Sequence, residues 1–150
     1  MSASQYHKKE NIRIYNESKL RLPLNHNEIH HLIHALLKKY QFLSAEINIV
    51  FMSDESLRDM KKTYCGEDVF TDIISFTFEC QEDYLEGELY ISLPRVRENA
   101  ALFDVSIRQE CVRILIHGFL HLIGYDDETT EEKNQMLALE NQYLKEYGYA

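Results

Sequence analysis

Nowhere in its 150 residues does the chain approach the roughly 18 consecutive apolar residues of a membrane-spanning helix. That excludes a helical membrane span. The first ten residues, Met1 to Glu10, are polar and lack the apolar segment of a secretion signal. They are expected to form a loose arm. Cysteine is scarce: Cys65, Cys80 and Cys111 are odd in number and widely spaced. A small secreted fold stapled by disulfides is therefore not expected, and a reducing cytoplasm fits. Positive charge is also in short supply, with 16 lysines and arginines against 25 aspartates and glutamates and a net charge of −9. A free-standing, non-specific nucleic-acid binder has the opposite balance. No internal repeat or low-complexity segment is present.

The acid is concentrated. Five carboxylates lie between Glu79 and Glu88 and five between Asp126 and Glu132, which leaves other surface less acidic. Hydrophobic residues make up 45% of the chain, so it is globular, and its length suits one domain, here residues 11–150.

Ile12 and Ile14 alternate with polar neighbours and predict a short strand. Asn25 and Glu28 resemble a capping box, followed by Ile29, Leu32, Ile33, Leu36, Leu37 and Tyr40 on one helical face. His30 and His34 lie off that stripe and read as solvated. Ala45 to Met52 is a strand. Ser53 caps a helix whose core face is Leu57, Met60 and Tyr64 and which ends at Gly66. Arg58, Lys61 and Lys62 lie on its other sides, as a solvated face or as a phosphate contact. Ile73 to Phe78 is a buried strand. The acidic stretch 79–86 reads as a long loop, closing a hairpin with the strand from Gly87 to Ser92. Pro94 opens a helix to Phe103. Capping boxes at Ser106/Gln109 and Thr129/Glu132 open two more, Ile107 to Ile123 and a last helix to about Glu146. The order β-α-β-α-β-β-α-α-α predicts an α+β domain, with about five helices on a four-stranded mixed sheet.

The informative stretch is His117 to Asp127. His117 and His121 stand four apart, so they share one face of the helix and can bind one metal ion together. The surrounding residues Val112, Ile114, Leu115, Ile116, Phe119, Leu120, Leu122 and Ile123 are apolar, and polar groups buried among them need partners. Gly124 can end the helix and turn the chain back. Asp127, three residues on, is placed to supply a third ligand. Two nitrogens and one carboxylate with a position left open is a catalytic pattern, not a closed structural one.

The same positions fall on the zinc-protease pattern H-E-x-x-H-x-x-G-x-x-H, except that Gly118 stands where those metzincins carry their general-base glutamate. The wider stretch His-Gly-x-Leu-His-Leu-x-Gly-Tyr-Asp followed by a ligand is similar to the signature of the YbeY family of bacterial metal-dependent endoribonucleases. Thr71-Asp72-Ile73-Ile74-Ser75-Phe76 resembles that family's T-D-V-L-S-F, and Gly87-Glu88-Leu89-Tyr90-Ile91-Ser92 its G-D-I-x-I-S. The resemblance runs from about Ile47 to Leu144. Two positions depart from the family: Cys65 stands where it usually has an arginine, and Asp127 where it usually has a third histidine. Lys61 and Lys62 are then the candidates for the phosphate contact.

The resemblance implies a single-strand-specific endoribonuclease that matures the 3′ end of 16S ribosomal RNA and serves ribosome quality control. RNA on the small ribosomal subunit is its expected partner, with no role for DNA or membrane. Zinc is the expected ion, one per chain, with iron, nickel or manganese also suited to two histidines and a carboxylate. The base is either the metal-bound hydroxide or the free oxygen of Asp127. A zinc peptidase and a non-enzymatic ribosome-assembly factor with a structural metal are the alternative readings.

Overall fold

Period-two alternation of apolar and polar residues builds four strands into one sheet. The computed structural model describes residues 9–150. Its strands are β1 (Lys9–Asn16), β2 (Ser44–Met52), β3 (Ile73–Cys80) and β4 (Tyr84–Ser92), in the spatial order β1-β2-β4-β3. β1–β2 and β2–β4 are parallel and β3–β4 is antiparallel, so the sheet is mixed, as expected. Five helices complete the α+β domain: α1 (His26–Lys39), α2 (Asp54–Cys65), α3 (Leu93–Leu102), α4 (Ile107–Leu122) and α5 (Thr130–Glu146).

At two places the elements differ from the sequence reading by more than one residue. β1 begins at Lys9, so the last two residues of the expected arm pair with β2, opposite Ser44 and Ala45; residues 1–8 lie outside the described residues. The stretch 79–86 is not a long loop. Pairing continues through Glu79↔Glu86 and Cys80↔Leu85, with a bulge near Phe78, and only residues 81–83 turn. The acidic composition conceals an alternation: Leu85 and Leu89 point into the core while Glu86 and Glu88 point to the other face.

Caps set the helix starts. Asn25 and Thr129 form full capping boxes with Glu28 and Glu132. At α4 only the serine half forms, Gln109 N donating to Ser106 Oγ at 3.0 Å. The inner face of the sheet, with Ile47, Ile49, Phe51, Leu85, Leu89 and Ile91, is buried with residues of α1, α3, α4 and α5. Each such side chain contributes roughly 1.5–3 kcal/mol on burial. The outer face has a smaller core, Val50, Met52 and Ile74 against Leu57 of α2.

Two glycines let α4 approach the sheet closely. A Cβ on Gly118 would lie 2.6 Å from Ile73 Cδ1 and 2.9 Å from Leu89 Cδ2. A Cβ on Gly87 would lie 2.7 Å from both Leu122 Cδ2 and the Phe76 carbonyl oxygen. This close contact sets the neighbouring His117 and His121 beside β3, a strand at the edge of the sheet.

Candidate metal centre

α4 supplies both histidines. Their rings are 4.6 Å apart between centroids, and their Nε2 atoms are 3.0 Å apart. The helix then ends in a Schellman turn: Tyr125 N donates to Leu120 O at 3.0 Å and Gly124 N to His121 O at 3.1 Å. Gly124 has φ +106°, a conformation that costs other residues strain. The reversal brings Asp127 back over the histidine face, where Oδ2 lies 3.4 Å from each Nε2. Asp126 is exposed and stands outside the cluster. All three side chains are half-buried.

The orientation of His117 is fixed from behind. Its Nδ1 is 2.8 Å from Oε2 of Glu140, a buried residue of α5. A carboxylate accepts, so Nδ1 has the proton and Nε2 presents its lone pair to the cluster. The other Glu140 oxygen accepts from Arg113 Nη1 at 3.1 Å. Burial alone would lower the His117 pKa, but the Glu140 hydrogen bond and charge, with Asp127 and Asp72, outweigh it and raise it. A lone-pair nitrogen, a second imidazole and a carboxylate oxygen thus converge within 3.0–3.4 Å of one another. Ligands about 2.0–2.1 Å from a common tetrahedral ion are spaced in this way, so the donor set fits a divalent transition metal.

The cluster faces a cleft of about 430 Å³ whose opposite wall includes β3 from Ile73 to Phe76, with Lys61, Cys65, Thr71 and Asp72 also lining it. Lys61 therefore reaches the cleft, with its ammonium 3.8 Å from Glu67. Lys62 is exposed on α2 and does not line it. Cys65 is an exposed free thiol on the lining. His34 instead pairs with Glu10 at 2.7 Å; among the described residues the three-donor cluster is His117, His121 and Asp127.

Three residues of the site have no role in the sequence reading. Glu140 lies on the α5 stripe with Met136, Tyr143 and Leu144, where a carboxylate among apolar neighbours signals a buried partner. Arg113, on the same side of α4 as His117, is that carboxylate's counter-ion. Asp72 lies within the recognised Thr71–Phe76 block and lines the cleft. Burial raises its pKa against the pull of His117 and of backbone hydrogen bonds.

An α+β domain whose helix offers an open three-donor cluster to a cleft has the makings of a metallohydrolase, since a structural metal would be enclosed by four protein ligands. The family described as Endoribonuclease YbeY matches residues 11–148. A Cytophaga hutchinsonii protein named Endoribonuclease YbeY is 39% identical over 117 residues, 78% of this chain and 82% of its own. A Bacteroides thetaiotaomicron protein of the same name is 41% identical over 99 residues, 66% of this chain and 72% of its own. The solution structure of a Thermotoga maritima protein superposes with a TM-score of 0.59 at 25% identity, covering 91% of both chains. The chain belongs to the YbeY family.

Proposed function

We propose that this chain is a metal-dependent endoribonuclease that cuts single-stranded RNA, with His117, His121 and Asp127 as ligands of one divalent transition metal. The observation that carries this reading is the convergence of His117 Nε2, His121 Nε2 and Asp127 Oδ2 on the lining of the cleft. Zinc suits the two nitrogens, and iron, nickel or manganese also suit a set with one carboxylate. Bound there, the ion supplies Lewis-acid polarisation of a phosphoryl oxygen and an acidified water. Lys61 offers the cationic contact to the phosphate, with Lys62 further out on α2. Asp127 has a second carboxylate oxygen free to take a proton, and Asp72 is a second carboxyl in the same cleft. The surroundings of Gly118 argue against a peptidase. A side chain there would press on Ile73 and Leu89, so the position that is glutamate in zinc proteases faces the sheet.

The chain's net charge of −9 favours RNA presented by a partner over naked RNA. We assign it to the small ribosomal subunit, in maturation of the 3′ end of 16S RNA and in ribosome quality control. The family resemblance supports that assignment. No helix among the described residues is long and apolar enough to cross a membrane, and Cys65 and Cys80 are exposed free thiols. These features support a place in a reducing cytoplasm.

Metal-loaded protein would be incubated with a single-stranded RNA, with the same RNA annealed to its complement, and with unfolded casein. Cleavage of the single strand alone is expected. Proteolysis of casein without RNA cleavage would replace this reading with the peptidase one, and no cleavage of either would leave the assembly-factor reading.

A further inference from the structure

α2 packs on the outer face of the sheet, over β3 and β4. Along its flank runs a groove of about 240 Å³, lined by Met60, Tyr64, Phe76, Phe78, Glu88 and Tyr90. Its rings are not covered: Tyr64 is 70% exposed and Phe78 59%. Nor are all of them loose. Phe76 meets both Tyr64 and Tyr90 at an interplanar angle of 76°, with centroids 6.0 and 5.9 Å apart. Edge-to-face contacts of this kind hold aromatic rings in place.

The groove adjoins the metal cleft. Phe76 lines both. On α2, Lys61 lines the cleft while Tyr64, three residues on, lines the groove. Residues at that spacing are neighbours on a helix surface. A cationic contact for a phosphate and a ring that can receive a base therefore stand side by side. The groove itself holds no lysine or arginine. Its one carboxylate, Glu88, accepts from Tyr90 Oη at 2.7 Å and from Asn48 Nδ2 at 2.9 Å. Such a surface repels phosphate and suits the uncharged faces and amino edges of bases.

We propose that this groove is a nucleobase subsite, in which unpaired bases flanking the phosphodiester in the metal cleft stack on Tyr64 and Phe78. The proposal rests on the endoribonuclease reading of that cleft and deepens it. Aromatic stacking is indifferent to base identity and needs bases that are not already stacked in a duplex. The groove thus makes the enzyme select single strands while reading little sequence. It also gives an acidic chain a source of RNA affinity that salt does not screen.

The test compares the zinc-loaded wild-type protein with the Tyr64→Ala/Phe78→Ala and Tyr64→Phe variants. Both rings are exposed, so their removal spares the core, and bound zinc and the unfolding temperature would be measured to verify that. Binding is read by fluorescence anisotropy with a single-stranded phosphorothioate RNA, an abasic ribose-phosphate strand of equal length, and the RNA duplex. Cleavage of ordinary RNA is followed in parallel. The double variant should bind the intact single strand about 10-fold more weakly or worse, and the abasic strand and duplex as the wild type does. Tyr64→Phe should match the wild type. Wild-type affinity of the double variant for the intact strand, or equal affinity of the wild-type protein for abasic and intact strands, overturns the subsite. If that happens while the wild type still cleaves RNA, the groove alone is misassigned and the endoribonuclease reading stands. If the wild type neither binds nor cleaves RNA, the endoribonuclease reading falls with it.

Discussion

Glu140 of α5 accepts a 2.8 Å hydrogen bond from His117 of α4, 23 positions earlier in the chain. The bond ties α5 to α4 and fixes which imidazole nitrogen faces the cleft. Residues behind a metal ligand typically account for 10–100-fold in metal affinity. Glu140→Gln keeps the size and loses the charge. It should weaken zinc binding by about that factor in a competition titration against a chromophoric chelator, while the protein stays folded. An unchanged zinc affinity would show that Glu140 only supports the helix packing.

As the proposed third ligand, Asp127 would set the charge of the site. Two neutral imidazoles and one carboxylate leave a divalent ion at a formal net charge of about +1, against about +2 for a three-histidine set. Asp127→Ala should lose metal affinity and Asp126→Ala should keep it, as measured by elemental analysis after gel filtration. Asp127→His should restore binding and move the acidic limb of the pH–rate profile to lower pH. Loss of metal in Asp126→Ala with full occupancy in Asp127→Ala would reverse the assignment.

Glu110 makes the fold sensitive to pH. It is buried, 3.9 Å from Arg113, and its Oε2 lacks a hydrogen-bond partner. Burial raises its pKa to about 7 despite Arg113, with Asp72 and Glu140 adding to the rise. An unfolded glutamate ionises near 4.5. Between those values the folded chain keeps a proton that the unfolded chain has released, so stability falls as pH rises. The full loss, up to about 3 kcal/mol, is reached above the folded pKa. Urea unfolding of metal-free protein at several pH values should show this decline, and Glu110→Gln should make it shallower, leaving the share of the raised His117 and Asp72, and be the more stable at alkaline pH. A slope unaltered by the substitution would exclude Glu110 as its source.

The two glycines between α4 and the sheet should respond differently to alanine. At Gly118 the new methyl meets the ends of Ile73 and Leu89, which can shift, at a cost of roughly 1–3 kcal/mol. At Gly87 it meets the Phe76 carbonyl, which is fixed in the β3–β4 ladder, so the loss should be larger. Thermal denaturation of the two variants gives the order directly. Gly118→Glu should destabilise still more and create no peptidase, because the carboxylate would be forced against the sheet.

Sequence periodicity revealed most of the fold. The apolar stripe of α1 and the cap residues Asn25, Ser53, Ser106 and Thr129 mark their helices locally, within a turn or two of chain. The start of β4 was hidden because acidic side chains on its outer face give a strand the composition of a loop. The donor cluster was legible because its members lie within eleven residues of one helix and its turn, from His117 to Asp127. Glu140 and Asp72 were not. They arrive from α5 and from the β3 edge, and only tertiary packing brings them to the cluster. Lys61 and Lys62 could not be told apart from charge alone, because which of two adjacent helix positions faces the cleft depends on how α2 sits on β3 and β4.

The central claim is that RNA cleavage depends on a metal held by His117, His121 and Asp127. Its most direct test is a chelation-and-return experiment on the purified protein, with zinc content and single-stranded RNA cleavage measured on the same samples. Chelation should remove one equivalent of metal and abolish cleavage, and one equivalent of zinc should restore both in the wild type but neither in His121→Ala. Full cleavage by the metal-free protein, or zinc-restored cleavage in His121→Ala, would contradict the account.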